Sequence, residues 1–188
     1  GTAAWLDAIG GAYGISKNRI DQAKNQFVGA IAGAVAASPI NGRITLSGYE
    51  GSELLVGRML VESGADLRYV GTACPKTPWS DSDREWLEAK GVEVRYRASL
   101  EQDLAAMAEY EPDLAIGTTP VVQKAKEAGL PALYFTNLIS ARPLMGVPGP
   151  GSLAQVVNVD TGVAFTCSAP SRASRSSSTA RWVARTCP

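Results

Sequence analysis

Residues 44–70 read ITLSGYEGSELLVGRMLVESGADLRYV. A short apolar run, Ile44–Ser47, gives way to Gly48 and Gly51, three positions apart. An amphipathic stretch follows, Ser52–Ser63, closed by Gly64, and then a second apolar run, Leu67–Val70. Strand, turn, helix, glycine stop and strand make one βαβ unit. The question it raises is whether SGYEGSELL (47–55) is a phosphate-cradling turn or only the bend that such a unit needs.

The same rhythm continues downstream. The loop GTACPKTPW (71–79) leads to a helix over 81–90, with Ser80 and Asp83 spaced as a capping box and Gly91 as the stop. VEVRY (92–96) is a third strand, and Ser99 with Gln102 opens a helix over 100–109. DLAI (113–116) is a fourth strand, GTTP (117–120) a turn into a helix over 121–128, and ALYF (132–135) a fifth strand. Residues 136–150 read as a long Gly/Pro-rich loop ending at a new helix start, Gly151–Ser152. Upstream, residues 1–38 carry helical spacing, with FVGAIAGAVAA (27–37) expected as a buried helix. Five strands alternating with four helices predict an α/β fold: a Rossmann-like doubly wound parallel sheet of about five strands, preceded by helices. The expected division is a helical segment 1–42, a Rossmann-like domain 43–158, and an atypical tail 159–188.

Composition narrows the function. The chain has 188 residues, 18 basic and 18 acidic, so net charge draws it to neither nucleic acid nor an anionic membrane. No apolar run reaches the roughly 18–20 residues of a membrane span. A signal peptide is not visible, and the chain starts without Met, as a fragment or a processed chain does. Its location is expected to be cytoplasmic. There is no histidine, which removes His-based triads and His metal ligands. Three cysteines, Cys74, Cys167 and Cys187, show no metal-ligand spacing, and no metal is expected on this chain. From about Val159 the sequence holds no Lys or Glu and is rich in Ser, Ala, Arg and Thr. It reads as a disordered tail or as translation in a shifted frame, and carries no assigned function.

Ligands of doubly wound sheets sit at the carboxyl ends of the strands. SGYEGSE lacks the glycine that lets a dinucleotide turn approach a pyrophosphate and the Lys of a P-loop, and Glu50 and Glu53 oppose a phosphate there. Tyr49 and Glu50 still face whatever fills the open edge. At GTTP, Thr118 or Thr119 either helps bind an anion at a helix start or only caps the helix. Cys74 lies on a loop suited to a subunit interface, or to a ligand set completed by another chain. In FTNLISARPLMGVPGPG (135–151), Thr136, Asn137 and Arg142 mix with apolar Leu138, Ile139, Leu144 and Met145. That mixture suits a flat apolar ligand with one carboxylate, which an Arg pairs bidentately, or a loop packed on a neighbouring domain.

The stretches SGYEGSELLVGRMLVESGADLRYVGTACPKTPWSDSDREWLEAKGV and EPDLAIGTTPVVQKAKEAGLPALYFTNLISARPLMG resemble the nitrogenase component 1-like oxidoreductase family. The loops YVGTACPKTPWS and TNLISARPLMG resemble the Y-type subunits of its chlorophyllide a reductase branch. The resemblance covers about residues 1–158. It implies part of a catalytic subunit that reduces a ring double bond of chlorophyllide a in bacteriochlorophyll synthesis. Electrons would come from an ATP-dependent iron–sulfur reductase protein, and a Z-type subunit would complete the catalytic complex. It also implies an iron–sulfur cluster in the full complex, held by cysteines in a domain outside this sequence, and an isolated chain that is inactive. By the same analogy Thr136, Asn137 and Arg142 face substrate; their place at strand-end turns adds Thr118, Tyr49 and Glu50 as substrate-binding candidates, and no catalytic residue is assigned. The other readings are a small-ligand or nucleotide-sugar-binding Rossmann module and a purely structural subunit-contact domain.

Overall fold

The structure is a computed structural model, and it describes residues 2–140 and 144–160. Two helices come first, α1 (Thr2–Ala12) and α2 (Lys17–Ala37). Then follow β1 (Arg43–Gly48), α3 (Glu53–Glu62), β2 (Asp66–Thr72), α4 (Asp81–Glu88), β3 (Glu93–Tyr96), α5 (Leu100–Tyr110), β4 (Leu114–Gly117), α6 (Thr119–Glu127) and β5 (Ala132–Tyr134). Two more helices complete the described chain, α7 (Phe135–Ser140) and α8 (Gly149–Asp160).

The five strands form one parallel sheet in the order β3-β2-β1-β4-β5. This is the doubly wound arrangement expected from the alternating pattern, and its order reverses between β1 and β4. Helix α3 packs through Gly57 against Leu46, Leu67 and Val70, whereas α5 lies over Gly71. Ser47 pairs with Gly71, so Leu46 and Gly71 point to opposite faces. The crossovers therefore cover both faces: α3 with α4 on one, α5 with α6 on the other. Fully buried Ile44, Leu46, Leu60, Leu87, Leu114 and Ile116 form the centre of the core, which Leu138, Leu153 and Val157 extend from α7 and α8. Arg58 clamps α3 to α4, bonding Glu62 at 2.9 Å and Asp83 at 3.0 Å while lying over the Trp86 ring.

Several expectations need correction. FVGAIAGAVAA is helical, but α2 buries none of its residues; it rests on α1 and α8 with Phe27 and Val28 exposed. An Ala/Gly-rich apolar run shows helix without showing what covers it. The supposed loop 136–150 contains α7 and the start of α8. Ser99 and Gln102 do form a reciprocal capping box. Ser80 and Asp83 do not: Ser80 Oγ donates to the Thr77 carbonyl at 2.8 Å and accepts from Tyr96 Oη at 2.7 Å, and Asp83 is held by Arg58. The atypical tail lies outside the described residues beyond Asp160.

Candidate functional site at the carboxyl edge of the sheet

The reversal of strand order places the β1–α3 turn beside the β4–α6 turn, with the β2–α4 loop and α7 flanking them. Two glycines shape the first turn for different reasons. Gly51 has φ +84°, a left-handed conformation that side-chain-bearing residues resist. Gly48 is needed for space: a Cβ there would sit 2.5 Å from Glu53 Oε1 and 2.9 Å from Phe135.

Glu53 determines what the amides of this turn face. Its side chain is fully buried and folds back into its own turn. Oε1 accepts from the Glu50 N–H at 2.7 Å. Oε2 accepts from the Gly51 N–H at 2.9 Å and from Thr72 Oγ1 at 2.8 Å. The turn amides at the start of α3 thus face an internal carboxylate. Sequence reading placed Glu53 there as a charge that opposes phosphate and that the helix dipole favours; its role as hydrogen-bond partner to Thr72 depends on β2 lying alongside.

The expected site residues divide into three groups. Glu50 and Thr136 meet: Thr136 Oγ1 donates to Glu50 Oε1 at 3.1 Å, and both are exposed. Tyr49 and Asn137 are exposed beside them in sequence, on the turn and on α7 respectively. Tyr49 also offers its carbonyl to Cys74 Sγ at 3.5 Å, which brings the β2–α4 loop against the same turn. Thr118 stands at the N-cap position of α6 with extended backbone but makes no side-chain capping bond, and Pro120 lies in the first turn. Beneath it, Gly117 leaves room for Ser47 Oγ, which a Cβ at 117 would approach to 2.8 Å. Arg142 lies outside the described residues. Of the apolar residues expected to cover a ring, Leu138 and Leu144 are buried in the core, while Met145 is exposed.

A second polar pair, absent from the sequence reading, lies on the α5 face. Tyr69 Oη donates to Asp103 Oδ1 at 2.9 Å, and both side chains occupy space that a Cβ at Gly71 would take. Burial pushes the Asp103 carboxyl up to about 6 against the opposing pull of the tyrosine hydrogen bond, and burial raises the Tyr69 hydroxyl.

Among the described residues, no group of three or more Cys, Asp or Glu is placed to hold a metal ion. Cys74 is the described cysteine, and its thiol faces a carbonyl rather than other ligands. The described residues therefore do not compose an iron–sulfur ligand set. No described helix is long and apolar enough to cross a membrane. The rim offers hydroxyl, amide and carboxylate hydrogen-bonding groups on a rigid sheet edge. It is suited to contacting a ligand or a neighbouring chain, not to cradling a phosphate.

A doubly wound parallel sheet defines a Rossmann-like unit, a class whose ligands sit at the strand ends. The chain belongs to the nitrogenase component 1 type oxidoreductase family, whose model matches residues 1–160. It is similar to the chlorophyllide reductase 52.5 kDa chain of Cereibacter sphaeroides, 68% identical over 162 residues, covering 86% of this chain and 32% of that one. The chlorophyllide reductase 52.5 kDa chain of Rhodobacter capsulatus is 67% identical over 162 residues, covering 86% and 33%. The chain thus spans about a third of the length of these relatives. Its fold is similar to that of a solved structure described as nitrogenase Cp1 at pH 6.5, with TM-score 0.57 and 18% identity over 84% of this chain and 36% of that one.

Proposed function

We propose that this chain is part of a catalytic subunit of a chlorophyllide reductase, an oxidoreductase that works as a complex. The observation that carries the reading is the 67–68% identity to two chlorophyllide reductase chains, sustained over 86% of the sequence. Those relatives are 52.5 kDa chains, and the identity supports that chain type; within it, the loops 69–80 and 136–146 support a Y-type subunit. The reaction is reduction of a ring double bond of chlorophyllide a in the cytoplasm. Electrons arrive from an ATP-dependent iron–sulfur reductase, and a second, different catalytic chain completes the complex. The cluster that carries the electrons is held outside the described residues. Residues 43–158 act as the Rossmann-like unit, and the tail has no role in the chemistry.

In this reading the carboxyl edge of the sheet faces the tetrapyrrole. Thr136, Asn137 and Glu50 contribute hydrogen bonds, Tyr49 and Thr118 line the rim, and Arg142 pairs the substrate carboxylate. The test is Arg142→Ala in the full-length subunit assembled with its partners. The Michaelis constant for chlorophyllide a rises about tenfold or more, the loss expected for one charged hydrogen bond, while the cluster spectrum stays unchanged. An unchanged Michaelis constant contradicts the role. The nucleotide-binding alternative is disfavoured by Glu53, which takes the amides such a module would offer to phosphate.

A further inference from the structure

We propose that Glu53 is a built-in occupant of the anion cradle at the end of β1, a specificity-determining and positioning residue that closes this Rossmann-like unit to phosphate groups and fixes Glu50 at the rim. In doubly wound folds the turn after the first strand points its amides, with the positive end of the following helix, at a bound phosphate. Here those donors exist and converge. The Glu50 and Gly51 N–H groups and the Thr72 hydroxyl supply three bonds of 2.7–2.9 Å, all to one carboxylate. That carboxylate is fully buried, and glycine at position 48 clears the space beside it.

Competition then favours the tethered group. A carboxylate on the same turn is present at the high effective concentration of an intramolecular ligand, which a dissolved anion must displace. An anion that entered without displacing it would meet a like charge at close range. The same three bonds fix the turn. With its backbone N–H held inward, Glu50 sends its own carboxylate outward, where Thr136 reaches it at 3.1 Å. One acid is therefore spent inside the turn so that the next can be displayed on the rim.

The experiment uses the 188-residue chain with inorganic pyrophosphate as the probe, followed by amide NMR. The wild-type chain shows no saturable shifts at Glu50 and Gly51. Glu53→Ala gains saturable binding at those amides, at least about tenfold tighter than any wild-type response, because two amides and a hydroxyl are left without a partner. Pyrophosphate binding at these amides in the wild type overturns the proposal, as does a folded Glu53→Ala chain that binds no better. Glu53→Gln keeps the shape and decides the matter if the alanine variant does not fold. It speeds amide exchange at Glu50 and Gly51 by about tenfold or more, since the charge-assisted acceptor is lost. Unchanged exchange overturns the proposal. Neither arm involves chlorophyllide, so either can fail while the reductase reading stands.

Discussion

Thr136 Oγ1 donates a hydrogen bond to Glu50 Oε1 at 3.1 Å, tying the start of α7 to the turn after β1 across 86 positions of sequence. Both partners are exposed, so the bond defines the shape of the rim more than it stabilises the fold. A double-mutant cycle with Thr136→Val and Glu50→Gln should give a coupling of about 0.5–1 kcal/mol in urea denaturation. Strictly additive effects would show that the two side chains do not meet in solution.

The Tyr69–Asp103 pair makes stability depend on pH. Asp103 has its carboxyl raised to about 6 by burial, above its value in an unfolded chain. The folded state therefore favours the protonated form. The stability this gives is fully present below the unfolded value and is lost as pH rises through about 6. Between pH 4 and 8 the wild type should lose about 2–3 kcal/mol relative to Asp103→Asn, whose amide oxygen still accepts from Tyr69. Denaturation midpoints of the two proteins measured across that window check the sign. A constant difference between them contradicts the assignment.

The two glycines of the first turn should fail for different reasons. Gly48→Ala places a methyl 2.5 Å from Glu53 Oε1 and 2.9 Å from Phe135. It should cost about 1–3 kcal/mol through displaced packing. Gly51→Ala meets only Cys74 Sγ, at an ordinary 3.6 Å, but must hold φ +84°. It should cost about 1–2 kcal/mol through backbone strain alone. Combining Gly48→Ala with Glu53→Ala removes one clashing partner, so the two costs should be less than additive. Additive costs would place the clash elsewhere.

Ser99→Ala should destabilise by about 1 kcal/mol, because Ser99 accepts from the Gln102 N–H while Gln102 answers at the Ser99 N–H. Gln102→Ala should cost less, since the Ser99 cap survives it. Equal stability of the wild type and Ser99→Ala, read from thermal denaturation, contradicts the box.

The succession of elements from β1 to β5 was legible because each helix and strand carries its own period and its own stop: Gly64, Gly91 and Gly129 close three helices in left-handed conformations. Features that depend on distant partners were not. The Ser80–Asp83 spacing matches that of a cap, but Tyr96 on β3 and Arg58 on α3 claim those two side chains. The apolar run in α2 looks like core, and nothing local reveals that Ile31, Ala34 and Val35 are only half-buried while Phe27 and Val28 are exposed. At the site, Glu50 and Thr136 were each singled out, yet their contact became visible only once α7 replaced the expected loop. Glu53 was seen as a charge against phosphate; that it occupies the phosphate position required Thr72 from the neighbouring strand.

The central claim is that this unit serves a chlorophyllide reductase. A chimera tests it most directly, with residues 1–158 replacing the matching third of the Cereibacter sphaeroides 52.5 kDa chain, to which the sequence is 68% identical. The chimera would be assembled with that enzyme's other components and assayed for reduction of chlorophyllide a by the change in its absorption spectrum. Turnover within about tenfold of the parent is the predicted result, because core and rim should transfer as one folded unit. A chimera that assembles with its partners and shows no chlorophyllide reduction would contradict the account.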